Sequence, residues 1–572
     1  MFILIVSLVL SLLPAACGAA YDYIIVGGGT SGLLLSMLLS ADPNVTVAVL
    51  EAGLDGRDDP LITVPENEGA IVGTAYDWAF TSVAQSNLYQ DASIAYPLGR
   101  TLGGSSAMNF MIYHRASTVE FDAWESVLNI SGWNWETIYT AFKAAENFTA
   151  APTALEQEGL TSDAAYHGFS GPVAGTMSRN VFSLWEDYVV PSLEELGVPK
   201  LIDADGGETT GVRYVPLAVN ATSYTRSYSA TAYTAVEGRS NLDVLTNTTV
   251  KRLLWSDNSV GELAVANAVE YVDPSTGSLA TLNASNIILS AGSIQSAPLL
   301  ESSGIGDPLI LSTLDIPVVV DLPAVGTLFQ DHLTYAGSFS FNTTLQFTGD
   351  QYIQALQDYA QPSRFLSSED YAFATDLLFN VAEATPPPGA SNASLTMLRT
   401  LWTADEPLIE FGWFLGFVTG YVLHPLSSGT IHAAPSSTQP AIDPNFNGAQ
   451  INGTAFDLWL LSKALQYYAT KVASAGPLGA VGAEFSVSGD LPFDTFQNTV
   501  FAGLSSGSHP TGGCVMMPRD QGGVVDENLQ VYGTANVRVV DASVVPVSPG
   551  QHTMGLAYAI AVRAAEILRA GL

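Results

Sequence analysis

The stretch YDYIIVGGGTSGLLLSMLLSADPNVTVAVLEAGL, residues 21–54, decides the fold of this chain. Its parts follow in a fixed order: an apolar run at 23–26, the pattern Gly27-x-Gly29-x-x-Gly32, a helix-like run at 33–39, and an alternating run at 45–50 that ends on Glu51. A strand, a glycine turn, a helix and a second strand ending on an acid are typical of a βαβ dinucleotide-binding unit. The alternative is a glycine-rich turn without a ligand. The complete order favours an adenine dinucleotide.

Each glycine of this pattern has its own predicted task. Gly27 permits the tight turn out of the first strand, Gly29 lets the backbone approach a pyrophosphate, and Gly32 lets the helix pack on the sheet. The pyrophosphate would lie beside Thr30 and Ser31 at the helix N-terminus, where free N–H groups and the helix dipole favour negative charge.

The acid that ends the second strand indicates which dinucleotide is bound. Glu51 follows Gly32 by 19 residues, where a carboxylate can bind both ribose hydroxyls. A 2′-phosphate would be repelled by this carboxylate, so the sequence argues against NADP.

Length and composition limit the function classes. The 572 residues exceed one ordinary core, so about two domains are expected. Hydrophobic residues make up 47% of the chain, which is enough for large cores. With 19 Lys and Arg against 55 Asp and Glu, the formal charge is −36. Such a chain repels nucleic acid and anionic membranes, so a small-molecule partner is expected.

The N-terminus predicts export. Residues 1–20 have an apolar core followed by Pro14 and small residues, which is the pattern of a secretory signal peptide cleaved near Ala20. The alternatives are a membrane anchor, disfavoured by the short apolar run, and a bacterial lipoprotein site at Cys17, disfavoured by the lack of a basic N-terminal residue. Cleavage would leave Cys514 as the only cysteine, so the mature protein would have no disulfide.

Glycosylation sequons support the same prediction of a secreted eukaryotic glycoprotein. Nine Asn-x-Ser/Thr sites occur, at Asn44, Asn129, Asn147, Asn220, Asn247, Asn283, Asn342, Asn392 and Asn452.

A second glycine-rich segment, residues 99–115, contains Arg100, Gly104, Ser105 and Asn109. Its small residues before an apolar run suggest backbone that passes close to a flat ligand, whereas the alternative is a mobile loop. Arg100 and Arg115 are two of the few cations in the chain, and they suit a pyrophosphate.

Segment 99–115 resembles the first signature of the glucose-methanol-choline (GMC) oxidoreductases, and residues 292–306 resemble the second, with Ala297 in place of the usual Pro or Ser. The resemblance runs along the whole chain. It implies α/β and α+β architecture, with a Rossmann-like FAD-binding domain and a discontinuous substrate domain built on an antiparallel sheet with helices. The implied FAD-binding domain comprises 21–150, 216–332 and 496–572, and the substrate-binding domain comprises 151–215 and 333–495.

The resemblance places the chemistry on His509 and His552, which lie 43 residues apart on either side of a buried strand that ends on Asp541. Each histidine alone is more often structural, but both match the active-site pair of the family, and the Pro-x-x-His-Thr context of His552 resembles aryl-alcohol oxidases. A neutral imidazole can accept a hydroxyl proton near neutral pH. We therefore expect His509 to be the base and His552 to hydrogen-bond the same oxygen. By the same resemblance, His332 is a structural partner.

Motifs and resemblance together assign FAD. The residues expected to bind it are Gly27, Gly29, Thr30, Ser31, Gly32, Glu51, Arg100, Gly104, Ser105, Asn109, Val250, Asp541 and Thr553. Met108 stands where some relatives carry a flavin-linked His, so the FAD is expected to be non-covalent. No His/Cys/Asp cluster has metal-ligand spacing, and no Gly-x-Ser-x-Gly elbow with the ordered partners of a hydrolase is apparent.

The implied function is a secreted flavoprotein that oxidises the CH–OH group of a small alcohol, aryl and secondary-metabolite alcohols included. Its partners would be the alcohol and oxygen or another electron acceptor, with no nucleic acid and no membrane. The alternatives are a GMC-fold flavoprotein that performs a non-redox cyclisation or lyase step in secondary metabolism, and a non-catalytic secreted flavoprotein.

Overall fold

A computed structural model of the chain describes residues 21–179, 181–257, 262–342, 356–382, 389–414, 417–435 and 439–570. The predicted signal peptide at 1–20 lies outside these residues. Along the described ranges, no helix is both long enough and apolar enough to cross a membrane.

Strands and α-helices occur throughout the described part of the chain. The strands are β1 Tyr21–Val26, β2 Val47–Leu50, β3 Phe80–Thr81, β4 Ala95–Tyr96, β5 Glu146–Thr149, β6 Val173–Thr176, β7 Gly211–Tyr214, β8 Leu242–Leu245, β9 Thr249–Trp255, β10 Ala266–Val272, β11 Leu279–Leu289, β12 Ile305–Gly306, β13 Val320–Asp321, β14 Leu333–Phe341, β15 Leu356–Ala360, β16 Ile409–Phe414, β17 Phe417–Val422, β18 Thr430–His432, β19 Ala441–Asp443, β20 Gln450–Ile451, β21 Thr454–Ala455, β22 Ala483–Phe485, β23 Leu504–Ser506 and β24 Val537–Val539. The α-helices are α1 Thr30–Leu39, α2 Pro60–Thr63, α3 Thr118–Ser126, α4 Trp135–Ala145, α5 Thr153–Gln157, α6 Val190–Glu195, α7 Ser229–Tyr233, α8 Ser296–Ser302, α9 Pro308–Thr313, α10 Pro362–Phe365, α11 Ser368–Asp376, α12 Asn392–Thr403, α13 Phe456–Tyr467, α14 Gly476–Ala480, α15 Phe493–Ala502 and α16 Thr553–Ala570.

The first large sheet has the strand order β8-β2-β1-β11-β10-β9, and β24 pairs with the C-terminal part of β11. The β8–β2, β2–β1, β1–β11 and β11–β24 pairs are parallel, whereas β11–β10 and β10–β9 are antiparallel. All of β2 and most of β1 are buried, as expected for parallel strands covered on both faces. The βαβ unit predicted from residues 21–54 is therefore present as β1, α1 and β2.

Two glycines of the first turn are required by close packing. Gly27 has φ +105°, and a Cβ there would lie 2.4 Å from the Ser290 carbonyl oxygen. At Gly32, a Cβ would lie 2.1 Å from the Gly27 carbonyl oxygen. These contacts allow α1 to start directly above the sheet, because any larger residue would push the helix away.

The second large sheet is antiparallel and has the order β22-β14-β17-β16-β15-β7, with β23 also paired to β14. The predicted fold class, a Rossmann-like domain with a second domain on an antiparallel sheet, is confirmed. One predicted boundary does not follow the sheets, since β23 lies within 496–572 but pairs with the second sheet. The chain crosses between the two domains again at this point.

Phe411, Trp413, Leu415 and Phe417 occupy every other position, which predicts one face of a single strand, but the structure divides this segment between two strands. β16 ends at Phe414, β17 starts at Phe417, and the two strands pair antiparallel. Phe411 and Trp413 are fully buried, whereas Phe417 is 54% exposed. Leu415 lies outside the described residues.

The C-terminal helix α16 closes the core. Its buried side packs against α1 and α4, and the Ser31 hydroxyl donates to the Ala557 carbonyl at 2.8 Å. Cys514 is buried as a free thiol. The last helix of the chain therefore completes the domain that the first strand begins.

Candidate active site

A cavity of about 1250 Å³ lies where the two large sheets meet. It is lined by the C-terminal ends of β1 and β2 and by side chains of β14, β16 and β17. Of the residues expected at the site, those lining the cavity are Gly27, Gly29, Thr30, Ser31, Glu51, Arg100, Gly104, Ser105, Asn109, Val250, His509, Asp541, His552 and Thr553. Gly32 is the exception, because it packs behind the turn.

The N-terminus of α1 is open to this cavity. Its N-cap residue is Gly29, so no side chain caps the helix, and its first turn has no acidic residue. Gly29, Thr30 and Ser31 line the cavity. The first N–H groups of a helix have no partner within the helix, so a helix end that faces a cavity can bind a pyrophosphate.

Glu51 lies buried at the same end of the cavity. Its Oε2 accepts the Gly28 N–H at 2.8 Å and its Oε1 accepts the Gly53 N–H at 2.7 Å. Burial raises the pKa of Glu51 to about 7, although both N–H donors and the charge of Arg100 act to lower it. Each oxygen keeps a lone pair, so the carboxylate can still accept ribose hydroxyls.

The two arginines expected near a pyrophosphate lie in different parts of the structure. Arg100 lines the cavity, with its guanidinium 4.8 Å from the centre of the Trp78 ring. Arg115 is buried away from the cavity and pairs with Glu146 Oε2 at 2.7 Å. The expectation for Arg115 is therefore wrong, because the chain directs its side chain into an internal ion pair.

Asp541 organises backbone behind the cavity. Its Oδ2 accepts the Gly292 N–H at 2.9 Å and the Ser296 hydroxyl at 2.6 Å, while its Oδ1 accepts the Ser543 N–H at 2.8 Å. Burial raises the pKa of Asp541, and these donors partly offset the rise. The acid thus joins the end of β24 to the loop after β11.

Arg226 was not expected at the site, yet it fixes the loop that carries Asn109. Its Nη1 donates to the Asn109 carbonyl at 2.7 Å and to Oδ1 at 2.9 Å, and its Nε donates to the Ile62 carbonyl at 2.9 Å. Because Oδ1 is occupied, the amide nitrogen of Asn109 faces Met554, whose sulfur lies 2.9 Å away.

His509 and His552 meet at the cavity wall, with ring centres 4.3 Å apart. His509 follows β23, and His552 directly precedes α16. Ser508 holds a left-handed backbone with φ +56°, which is uncommon for a residue with a Cβ. The fold therefore brings together two histidines that are 43 positions apart in the sequence.

Residues 331 and 332 hold His509 from behind. Asp331 Oδ1 accepts the His509 backbone N–H at 2.8 Å, and His332 Nδ1 lies 3.0 Å from His509 Nδ1. Burial, together with the nearby His552 and His332, lowers the pKa of His509 well below its ordinary value. The His509 ring is thus neutral at pH 7.

His552 is held by a carboxylate and a third ring. Its Nε2 lies 3.0 Å from Glu410 Oε1, and its backbone N–H donates to His114 Nε2 at 3.0 Å. Burial by itself would raise the pKa of the Glu410 carboxyl, but the charge and hydrogen bond of His552 outweigh this and lower it. Glu410 therefore faces His552 as a carboxylate.

One face of the second sheet forms the remaining wall, which we call the sheet wall. It consists of Thr334, Ala336, Phe414, Thr419 and Tyr421. The Tyr421 ring lies 6.0 Å from the His509 ring and 5.5 Å from the His552 ring, centre to centre. The wall is uncharged and combines two aromatic rings with two threonine hydroxyls.

Within the described ranges, two groups of side chains are close enough to suggest a cation, namely His114, Glu410 and His552, and Glu146, His167 and Asp205. In each group a carboxylate already bonds a histidine nitrogen. An arginine also lies beside each group, with Arg213 at 2.9 Å from His114 and Arg115 at 2.7 Å from Glu146. We interpret both as hydrogen-bonded networks, and the absence of a metal site stays a prediction.

Family models match most of the chain. Residues 21–334 and 425–561 match the N-terminal and C-terminal models of the GMC oxidoreductases. The chain belongs to the GMC oxidoreductase family. It is 33% identical over 585 residues to a glucose oxidase-like protein of Humicola fuscoatra, covering 97% of each chain.

Solved structures show the same fold. An FAD-dependent oxidoreductase of Chaetomium thermophilum superposes with a TM-score of 0.85 at 26% identity, and a fungal aryl-alcohol oxidase with 0.84 at 25%. Each comparison covers 96% of this chain and 99% of the other. The chain is therefore a GMC-family FAD-dependent oxidoreductase, and the open end of α1 and the lone pairs of Glu51 fit that cofactor.

Several residues of the site were missed from the sequence. Glu410 is the single charged side chain within an aromatic strand, and that isolation was a usable signal. Tyr421 and Arg226 carry no such local signal, because Tyr421 reaches the cavity, and Arg226 reaches the Asn109 loop, only through the pairing of distant segments.

Proposed function

We propose that this protein is a secreted flavoenzyme that oxidises the CH–OH group of a small neutral alcohol to a carbonyl. The observation that carries the proposal is the pair of histidines 4.3 Å apart on the wall of the cofactor cavity. Two imidazoles at this distance can contact one hydroxyl oxygen together, which suits removal of its proton.

His509 takes the role of base. Its ring is neutral at pH 7 and is fixed by Asp331 and His332, so it meets an incoming hydroxyl with a nitrogen lone pair. FAD, when bound, supplies the acceptor for the hydride that leaves the alcohol carbon. The chain itself contributes the proton acceptor and the orientation of the alcohol.

His552 complements this base from the other side of the oxygen. Its Nε2 lies 3.0 Å from the ionised Glu410, and this contact fixes the orientation of the ring. His552 can therefore hydrogen-bond the same oxygen and share the charge that develops when His509 removes the proton.

The sheet wall supports a neutral substrate. Two rings and three hydroxyls offer stacking and hydrogen bonds but no counter-ion for a charged group. An aryl or other uncharged alcohol fits this chemistry, and the TM-score of 0.84 to a fungal aryl-alcohol oxidase supports that choice.

Non-covalent FAD belongs to the same proposal. Met108 lines the cavity, and its thioether is no nucleophile toward the cofactor. Flavin that remains with the polypeptide after acid precipitation would contradict this part.

Secretion and glycosylation are supported by exposure. All nine sequon asparagines are exposed on the surface. The predicted signal peptide and these accessible sites suit a glycoprotein that leaves the cell. Protein recovered from the medium should begin near residue 21, and an intact Met1 would contradict export by cleavage.

The central test mixes the purified holoenzyme with alcohols in the absence of oxygen. Primary, aryl and sugar alcohols are supplied one at a time, and flavin absorbance is followed. Bleaching by an alcohol supports oxidation, and readmitted oxygen or a dye then identifies the electron acceptor. A holoenzyme that no alcohol bleaches, but that rearranges or cleaves one, would favour a non-redox reaction instead.

A further inference from the structure

His332 lies fully buried behind His509, and the reaction described above gives it no chemical step. Its Nδ1 lies 3.0 Å from His509 Nδ1, and its Nε2 lies 2.9 Å from the Pro549 carbonyl oxygen. The two rings are nearly perpendicular, with an interplanar angle of 84°. Both nitrogens of His332 are therefore occupied, one by a carbonyl and one by the other ring.

These two contacts determine where the protons are. A carbonyl oxygen only accepts, so the nitrogen of His332 facing Pro549 must carry hydrogen. A neutral imidazole has a single N–H, so Nδ1 of His332 keeps a lone pair. That lone pair requires an N–H from its neighbour, which is His509 Nδ1. The remaining nitrogen of His509, Nε2, is then unprotonated.

We propose that His332 is a positioning residue that fixes His509 in the tautomer with an unprotonated Nε2, the form able to accept the alcohol proton. The inference rests on the proposed function, in which His509 is the base. It assigns His332 a role beyond that of a structural neighbour, because the direction of its hydrogen bond determines which nitrogen of His509 can react.

The surrounding structure holds this arrangement from several sides. Burial, followed by the charge of His552, lowers the pKa of His332 to about 4, so its ring stays neutral. A Cβ on Gly507 would lie 3.0 Å from His332 Cβ and 3.3 Å from His509 Nδ1. Together with the left-handed Ser508, this tight fit leaves the His509 ring little freedom to flip.

The first measurement uses the unaltered protein. Oxidised holoenzyme labelled with ¹⁵N-histidine is studied by long-range ¹H–¹⁵N correlation, and His509 is assigned with the His509→Gln variant. We expect a protonated Nδ1 and an unprotonated Nε2 on His509. Protonation at Nε2 instead would overturn the proposal, whatever the substrate is, because this readout does not depend on turnover.

The second measurement compares two substitutions of nearly equal size. His332→Leu removes the acceptor, whereas His332→Asn places an amide oxygen near the former Nδ1. We expect His332→Leu to slow anaerobic flavin reduction about tenfold, equivalent to one buried hydrogen bond. His332→Asn should recover most of that loss.

The control for loss of a buried histidine is His424→Leu, because His424 is buried and bonds the Ser548 carbonyl at 2.9 Å without touching His509. Parent-like reduction in His332→Leu, or equal loss in the Leu and Asn variants, would overturn the positioning role. Failure of the proposed function looks different, since His509→Ala would then reduce flavin normally while the measured tautomer stayed as expected.

Discussion

The two ends of the cavity are built by different means. The cofactor end is centred on the backbone N–H groups and glycines around Gly27, Gly29 and Glu51, which lie within one short stretch. The catalytic end consists of side chains such as His509, His552 and Tyr421, which arrive from separate strands and loops. The cofactor end should therefore control retention of FAD, and the catalytic end should control the rate of alcohol oxidation.

The largest expected effect is at the catalytic end. His509→Ala leaves the hydroxyl proton without its acceptor, so anaerobic flavin reduction should slow by about 10²–10⁴ while FAD stays bound. His432→Ala is the control, because His432 bonds Glu301 away from the pair. If His509→Ala also loses FAD, the separation between the two ends is incorrect.

The second histidine sharpens the same comparison. His552→Ala should slow reduction less than His509→Ala and should also weaken alcohol binding, because the base remains. The double variant should lose less than the sum of both effects, since both rings act on one oxygen. Stopped-flow reduction of the three variants measures this, and strict additivity would show independent roles.

Glu51 gives the largest expected effect at the cofactor end. In Glu51→Gln the side chain cannot accept from both Gly28 and Gly53, so FAD affinity should fall about 10–100-fold, as expected for loss of a charged hydrogen bond. Titration of apoprotein with FAD, followed by flavin fluorescence, measures the change. Unchanged affinity would remove the ribose assignment.

The pH dependence of the stability of the apoprotein tests the ionisation of Glu51. The pKa of Glu51 is about 7 in the fold against 4.5 ordinarily, so the folded state binds the extra proton between these values. Its contribution to stability should therefore decrease as pH rises from 4.5 to 7. The stability of Glu51→Gln, measured by thermal unfolding, should lack this part of the decrease. Identical plots of stability against pH for the variant and the parent would contradict the prediction.

A smaller effect is expected at Arg226, which holds the loop that carries Asn109. Arg226→Lys keeps the charge but loses the fork that reaches Asn109 and Ile62, so FAD affinity should fall about tenfold, one or two hydrogen bonds in magnitude. Arg252→Lys is the matched control, because Arg252 pairs with Glu270 at the surface. Equal FAD affinity of the Arg226→Lys and Arg252→Lys variants would contradict this role of Arg226.

The smallest effect is expected on the sheet wall. Tyr421→Ala removes one ring near both histidines, and binding of benzyl alcohol should weaken about threefold to tenfold, as for loss of an aromatic pair. A short aliphatic alcohol should be affected less. The ratio of the two dissociation constants tests this, and an unchanged ratio would show that Tyr421 does not select the substrate.

The same contrast explains what the sequence could predict. The β1–α1–β2 unit is local, so its strands, glycines and acid were readable from 34 consecutive residues. Glu410 and His552 are 142 positions apart, and His332 and His509 are 177 apart. Single-sequence reasoning does not report such pairings, because they depend on strand order and on where β16 turns into β17. The family resemblance supplied the histidine pair but not the groups that orient it.

Cys514 has a practical consequence for producing the protein. It is buried and it is the sole cysteine after residue 20, so no covalent cross-link joins the segments between 21 and 572. Folding then requires no oxidant or disulfide isomerase, even on the secretory route that we propose. A reducing bacterial cytosol is therefore a suitable host for this polypeptide, and dithiothreitol should leave its melting temperature unchanged.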